Sequence, residues 1–225
     1  MFSQEWYQKI KKDRSVGNAI KKIEKSFIGS KIDLPLFYKL RIAEFVIRLK
    51  KRFHKKFGIF IIFGWRQKWK DFADTPDITQ NIFKNHHVRV FEFHKKELQD
   101  LSEDRFMSRH IAKLIKFDGA ILIDKHGVIV DSGVYIEGLR PKTIAEKLYP
   151  GHNHKSDLSA VFGFKTKVHA RHLSAISASY IFKNTAVYTL SEETGDFHVF
   201  ERGKIVYSSV VRERSARTAS RLKRR

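Results

Sequence analysis

The spacing of hydrophobic residues in this chain changes partway along it. In the stretch PLFYKLRIAEFVIRLKKRFHKKF, Phe37, Leu40, Phe45, Val46, Leu49 and Phe53 recur with a helical period, and Pro35 stands where a first helical turn tolerates it. Lys39, Arg41, Arg48 and Lys51 fill much of the remaining surface, so residues 1–57 read as a basic helical N-terminal region with an amphipathic helix packed on a core. The pattern then turns to short apolar runs. FGIFIIFGW, from Phe57 to Trp65, is unbroken but only about half of the ~20 apolar residues that span a bilayer, and it reads as a buried strand with Ile59–Phe63 as the strand itself.

Further strands are predicted at Val88–Phe93, Ala120–Ile123, Val128–Asp131, Ala186–Leu190, Phe197–Phe200 and Lys204–Tyr207, where β-branched and aromatic residues lie between turn residues. Helical spacing returns at Glu103–Lys116 and Ala170–Phe182. Hairpin turns are predicted at Asp124 to Gly127 and at Arg202 and Gly203. Interleaved strands and helices give an α/β class, with a mixed twisted β-sheet flanked by helices over residues 58–211. Residues 212–225 read as a basic, solvated tail, in which Glu213 is the one acid.

Composition narrows the chemistry. The chain has 225 residues, enough for a sizeable core, and no cysteine, which excludes disulfides, thiolate metal ligands and a thiol nucleophile. Its 45 Lys and Arg against 24 Asp and Glu give a net charge of +21, which predicts attraction to polyanions. Nucleic acid or an anionic membrane could meet the basic ends; a transmembrane segment and a secretory signal are not expected, and a cytoplasmic location is.

Three stretches could carry chemistry. In FDGAILID, Asp118 precedes Gly119 and Ala120 at the start of a strand; a carboxylate beside two residues with almost no side chain can hold a hard cation near a ligand's flat face. In KVHARHLSAISAS, a helix predicted to begin near Val168 carries Arg171 and His172 in its first turn. Two cationic or cationisable groups there oppose the helix dipole unless an anion is bound, so a phosphate would explain the pair. In YTLSEETGDF, a strand runs into Ser191, Glu192, Glu193, Thr194 and Gly195, an acidic turn that could meet a cation or a ligand's hydroxyl groups. Each stretch alone is also an ordinary turn or helix start.

In this order and spacing, the Asp-Gly-Ala, the Arg-His and the Ser-Glu-Glu-Thr-Gly together resemble the diadenylate cyclase domain, the catalytic module of the DNA-integrity scanning protein and its relatives; the resemblance covers about Phe117 to Tyr207. It implies condensation of two ATP into cyclic di-AMP with release of two pyrophosphates, assisted by Mn²⁺, Mg²⁺ or Co²⁺. It further implies that Asp118 holds the metal and activates the ribose 3′-hydroxyl, with Glu193 as a second metal ligand. Gly119 and Ala120 would lie beside the nucleoside, Arg171 and His172 would contact phosphates, and Ser191, Glu192 and Glu193 would line the nucleotide pocket. Because each ATP attacks the other, it implies a homo-oligomer with face-to-face active sites.

The sequence departs from the family pattern at His169 and Ala170 before the Arg-His, where Gly-Thr or Gly-Ala is common, at Leu173 in place of a second arginine, and at Phe117 in place of a histidine. His152 and His154 lie in an inserted LYPGHNHKSD loop, where two histidines alone do not define a metal site. Two other readings stay open: a nucleotide-binding sensor of the same fold with a degenerate site, and a nucleic-acid-binding protein acting through its basic ends.

Overall fold

A computed structural model describes residues 6, 8, 10–53, 57–74, 118–151, 157–211 and 213. The strands are β1 (Ile59–Trp65), β2 (Ala73–Asp74), β3 (Ala120–Asp124), β4 (Ile129–Ile136), β5 (Ala186–Leu190), β6 (Phe197–Glu201) and β7 (Lys204–Ser208). Among the described residues they form a seven-stranded sheet in the order β2-β4-β3-β1-β5-β6-β7. The β1–β3 pair is parallel and the other pairs are antiparallel, so the sheet is mixed, as the interleaved pattern predicts. The helices are α1 (Arg14–Ser26), α2 (Leu36–Arg52), α3 (Pro141–Leu148), α4 (Leu158–Phe162) and α5 (Ala170–Ile181), with a 3₁₀ turn at Gln67–Phe72. The strand predicted at Val88–Phe93, the helix predicted at Glu103–Lys116, His152, His154, Phe117 and all of the tail but Glu213 lie outside the described residues.

β1 is buried along its whole length because both of its faces are covered. Successive side chains of a strand point to opposite faces, and β1 sorts accordingly: Ile59, Ile61 and Phe63 enter one core, Phe60 and Ile62 the other. At Gly64 the backbone takes φ +92°, the pairing with β3 slips between Phe63 and Trp65, and Trp65 turns into the second core. There it packs edge-on against Phe182 at 5.1 Å.

The first core joins the sheet to α1 and α2. Val16, Ile20 and Ile23 present one stripe of α1, whose start is capped by the Asp13 carboxylate accepting from the Ser15 and Val16 amides. A charged knot fixes this layer. The Lys39 ammonium, 3% exposed, donates to Glu201 of β6 at 3.1 Å and to Ser30 at 3.1 Å, and lies 4.3 Å from the centre of the Phe27 ring. Ser30 in turn donates to the second Glu201 oxygen at 2.7 Å. The second core holds α3, α4 and α5 against the opposite face, and it is this layer that carries the Arg-His pair. No helix among the described residues is long and apolar enough to cross a membrane.

Removing one partner of a buried ion pair strands the other charge. Lys39→Met is therefore expected to lower unfolding free energy by about 3–5 kcal/mol in urea titrations, with most of the loss recovered in the Lys39→Met, Glu201→Leu double variant. A loss below about 1 kcal/mol, the range of exposed pairs, would show that the knot does not hold the layer.

Candidate functional site

Between the ends of β3, β5 and α5 lies a cavity of about 880 Å³. Asp118 and Gly119 line it from the entry to β3, Arg171 and His172 from the first turn of α5, and Ser191, Glu192 and Glu193 from the turn after β5. The three stretches, separated in sequence, thus meet at one place. Ala120 does not line it: the residue is wholly buried in β3 and packs in the second core.

Local conformation explains each position. Gly119 has φ +116°, and a Cβ there would stand 2.6 Å from the carbonyl carbon of Gly133, so this glycine lets β4 cross close to the β3 entry. The space next to Asp118 is filled by β4 backbone. The Ser191 hydroxyl accepts from the Thr194 amide and the Gly195 amide donates to the Ser191 carbonyl, which closes the acidic turn and turns Glu192 and Glu193 outward. Helix α5 starts at Ala170, two residues later than Val168, with His169 at its N-cap and no side-chain hydrogen bond capping it. Its first-turn amides and dipole consequently face the cavity without a resident carboxylate cap.

Arg171 is the centre of the charge arrangement. Its Nη2 donates to Asp118 Oδ1 at 2.9 Å, and its Nη1 stands 3.8 Å from Glu192 Oε2. The guanidinium occupies the space where Gly58 lacks a side chain: a Cβ at Gly58 would lie 1.8 Å from Nη1. His169 Nε2 pairs with Glu193 Oε2 at 3.3 Å. These acids are well exposed, and exposed ion pairs contribute only about 0–1 kcal/mol each. A polyanion that brings its own charge can therefore displace them at small cost.

His172 differs from the cation that its sequence position suggests. It is 7% exposed, its Nε2 has no hydrogen-bond partner, and its ring meets His198 of β6 at 5.0 Å and a right angle. Burial, then the neighbouring His198 and Arg171, push its pKa down to about 4, so at neutral pH it is an uncharged hydrogen-bonding group. Next to it, the Glu213 carboxylate bonds His198 Nε2 at 2.7 Å and accepts from Ser208 at 2.7 Å and from the Lys165 amide at 3.0 Å. Burial alone would raise this carboxyl; these bonds outweigh it and hold it at about 2. His198 and Glu213 line the cavity and have no motif to mark them; Glu213, grouped by charge with the basic tail, is buried.

Among the described residues, no three His, Asp or Glu side chains come together as a metal-binding group. The donors that exist are exposed carboxylates, with Asp118 nearest the β3 entry and its second oxygen outside the bond to Arg171. Such a set suits a hard cation held by one or two carboxylates and completed by phosphate oxygens and water.

No protein-family model matches the sequence, and no curated protein matches it. Among solved structures, a double mutant of DacA from Staphylococcus aureus is similar at 18% identity over 81% of this chain and 89% of that one, with a TM-score of 0.39. A hypothetical membrane spanning protein from Bacillus cereus is similar at 14% identity over 93% of this chain and 96% of that one, with a TM-score of 0.45.

The two buried groups contribute to the acid sensitivity. His172 has its folded-state pKa below the ordinary 6.5, so the unfolded chain takes up the proton first; stability is full above about pH 6.5 and falls as pH drops toward about 4. Glu213 adds a second loss between its ordinary 4.5 and about 2. Urea midpoints measured at pH 7, 5.5 and 4 are expected to decline, and His172→Gln is expected to flatten the upper part of that decline. A parallel decline in the variant would mean that His172 is not held neutral.

Proposed function

We propose that the cavity binds ATP and that the protein is a diadenylate cyclase, condensing two ATP into cyclic di-AMP with release of two pyrophosphates. The observation that supports this most is the convergence of the Asp-Gly-Ala, Arg-His and Ser-Glu-Glu-Thr-Gly stretches on one cavity, bridged by Arg171. The triphosphate lies at the α5 N-terminus, where first-turn amides, Arg171 and the uncharged His172 Nε2 supply hydrogen bonds to its oxygens. Arg171 leaves Asp118 and Glu192 for phosphate, which frees both carboxylates at the moment the nucleotide arrives. Nucleotide binding and exposure of the acids are thus one event.

In the reaction the 3′-oxygen of one ribose bonds to the α-phosphorus of the other ATP, the bond from that phosphorus to the bridging oxygen breaks, and pyrophosphate leaves with the electron pair. Asp118 orients the 3′-hydroxyl and receives its proton directly or through water. Asp118, with Glu193 as a second ligand, would hold Mn²⁺, Mg²⁺ or Co²⁺, which lowers the charge on the reacting phosphate and the pKa of the attacking hydroxyl when bound. Arg171 stabilises charge that develops on the phosphates. Reciprocal attack needs two nucleotides in opposed sites, so two chains associate with their cavities face to face, at least during turnover.

Incubation of the chain with ATP and Mn²⁺, Mg²⁺ or Co²⁺, followed by mass-detected chromatography, is expected to yield cyclic di-AMP, with Asp118→Asn lowering the rate by at least about a hundredfold, the scale of a lost general base. ATP binding without product under all three ions would replace the cyclase by a nucleotide sensor. No ATP binding at all would overturn the assignment of the cavity.

A further inference from the structure

The Arg-His stretch does not act alone on the floor of the cavity. Behind His172 stand the buried His198 of β6 and the buried Glu213 beyond β7, with the Lys165 amide and the Ser208 hydroxyl fixing the Glu213 carboxylate. We infer that Glu213 is a positioning residue for the phosphate site, which through His198 holds the His172 ring so that its Nε2 faces bound nucleotide.

The geometry carries this in three steps. Glu213 is 7% exposed and spends one carboxylate oxygen on the Lys165 amide and the other on His198 and Ser208, so it is held from several sides. The hydrogen bond to the carboxylate fixes His198 as a donor at Nε2 and sets the plane of its ring. That plane stacks on Phe200 with an interplanar angle of 8° and meets the His172 ring edge to face, while Phe164 closes on both histidines at 5.9 and 5.5 Å. With its rotation restricted on these sides, His172, which lines the cavity, keeps a buried Nε2 with no hydrogen-bond partner just beneath the surface. A buried polar atom left without a partner costs free energy, which a phosphate oxygen would recover. The titratable and charged groups that act on His172 are His198 and Asp196 from the β5–β6 side, Arg171 on its own helix, and Glu213.

The lone acid at the start of the basic tail accordingly has a use that its composition hides. It ties the segment that follows β7 to the site.

This inference rests on the nucleotide reading of the cavity, and its test separates the two. Glu213→Gln, Glu213→Asp and His198→Gln are compared with the wild type by ATP titration calorimetry, by ¹⁵N NMR of the His172 ring, by thermal unfolding and by cyclic di-AMP production. Glu213→Gln is expected to weaken ATP binding about tenfold, the scale of one lost charge-assisted hydrogen bond, and to change the His172 ring signals. Glu213→Asp is expected to restore part of both, and His198→Gln to reproduce the Glu213→Gln loss if the latter variant does not fold. Loss of ATP affinity in a chain whose wild type makes no cyclic di-AMP would keep the positioning role and remove the cyclase. Unchanged affinity and unchanged His172 signals, with only a lower melting temperature, would reduce Glu213 to a structural staple and overturn the inference, as would a wild type that binds no ATP.

Discussion

The site depends on where one guanidinium rests. Arg171 lies over Gly58, in contact distance of Asp118 and within 4 Å of Glu192, so four segments far apart in sequence are held in register at one point. Its ion pairs are exposed and weak, so that a competing anion displaces them at small cost. The fixed parts lie beneath it: the first turn of α5, the Gly119 crossing under β4, and the buried histidines.

The sheet makes this possible by serving two cores. Alternation along β1 commits half of its side chains to α1 and α2 and half to the helices that bear the site. β6 shows the same division in its polar residues, with Glu201 reaching Lys39 on one face and His198 reaching Glu213 on the other. Each buried charged group is thus matched on its own side of the sheet, and the basic N-terminal helices are fixed through the same strands that position the cavity wall.

Much of the fold was legible. β5 occupies the predicted residues, and β1, β3, β6 and β7 extend beyond theirs by one or two, because period-two burial and β-branched content are local signals. β4 runs five residues further than Val128–Asp131, since its second half carries Gly133 and a register slip that break the alternation. α3 spans only eight residues and carries its proline at the first turn, and α4 is too short to show a period. In the site, the three motifs converge on one cavity. The neutral state of His172 was hidden because it comes from burial against His198, a residue twenty-six positions later, and Glu213 was hidden by the charges around it in sequence.

The most direct test of the account is a crystal structure with 3′-deoxy-ATP and Mn²⁺, which can bind and cannot be joined through its 3′ position. A triphosphate is expected at the first turn of α5, with Arg171 and His172 Nε2 on its oxygens and the Asp118 carboxylate released from Arg171. A nucleotide bound elsewhere, or a saturated complex in which Arg171 still pairs with Asp118 and Glu192, would contradict it.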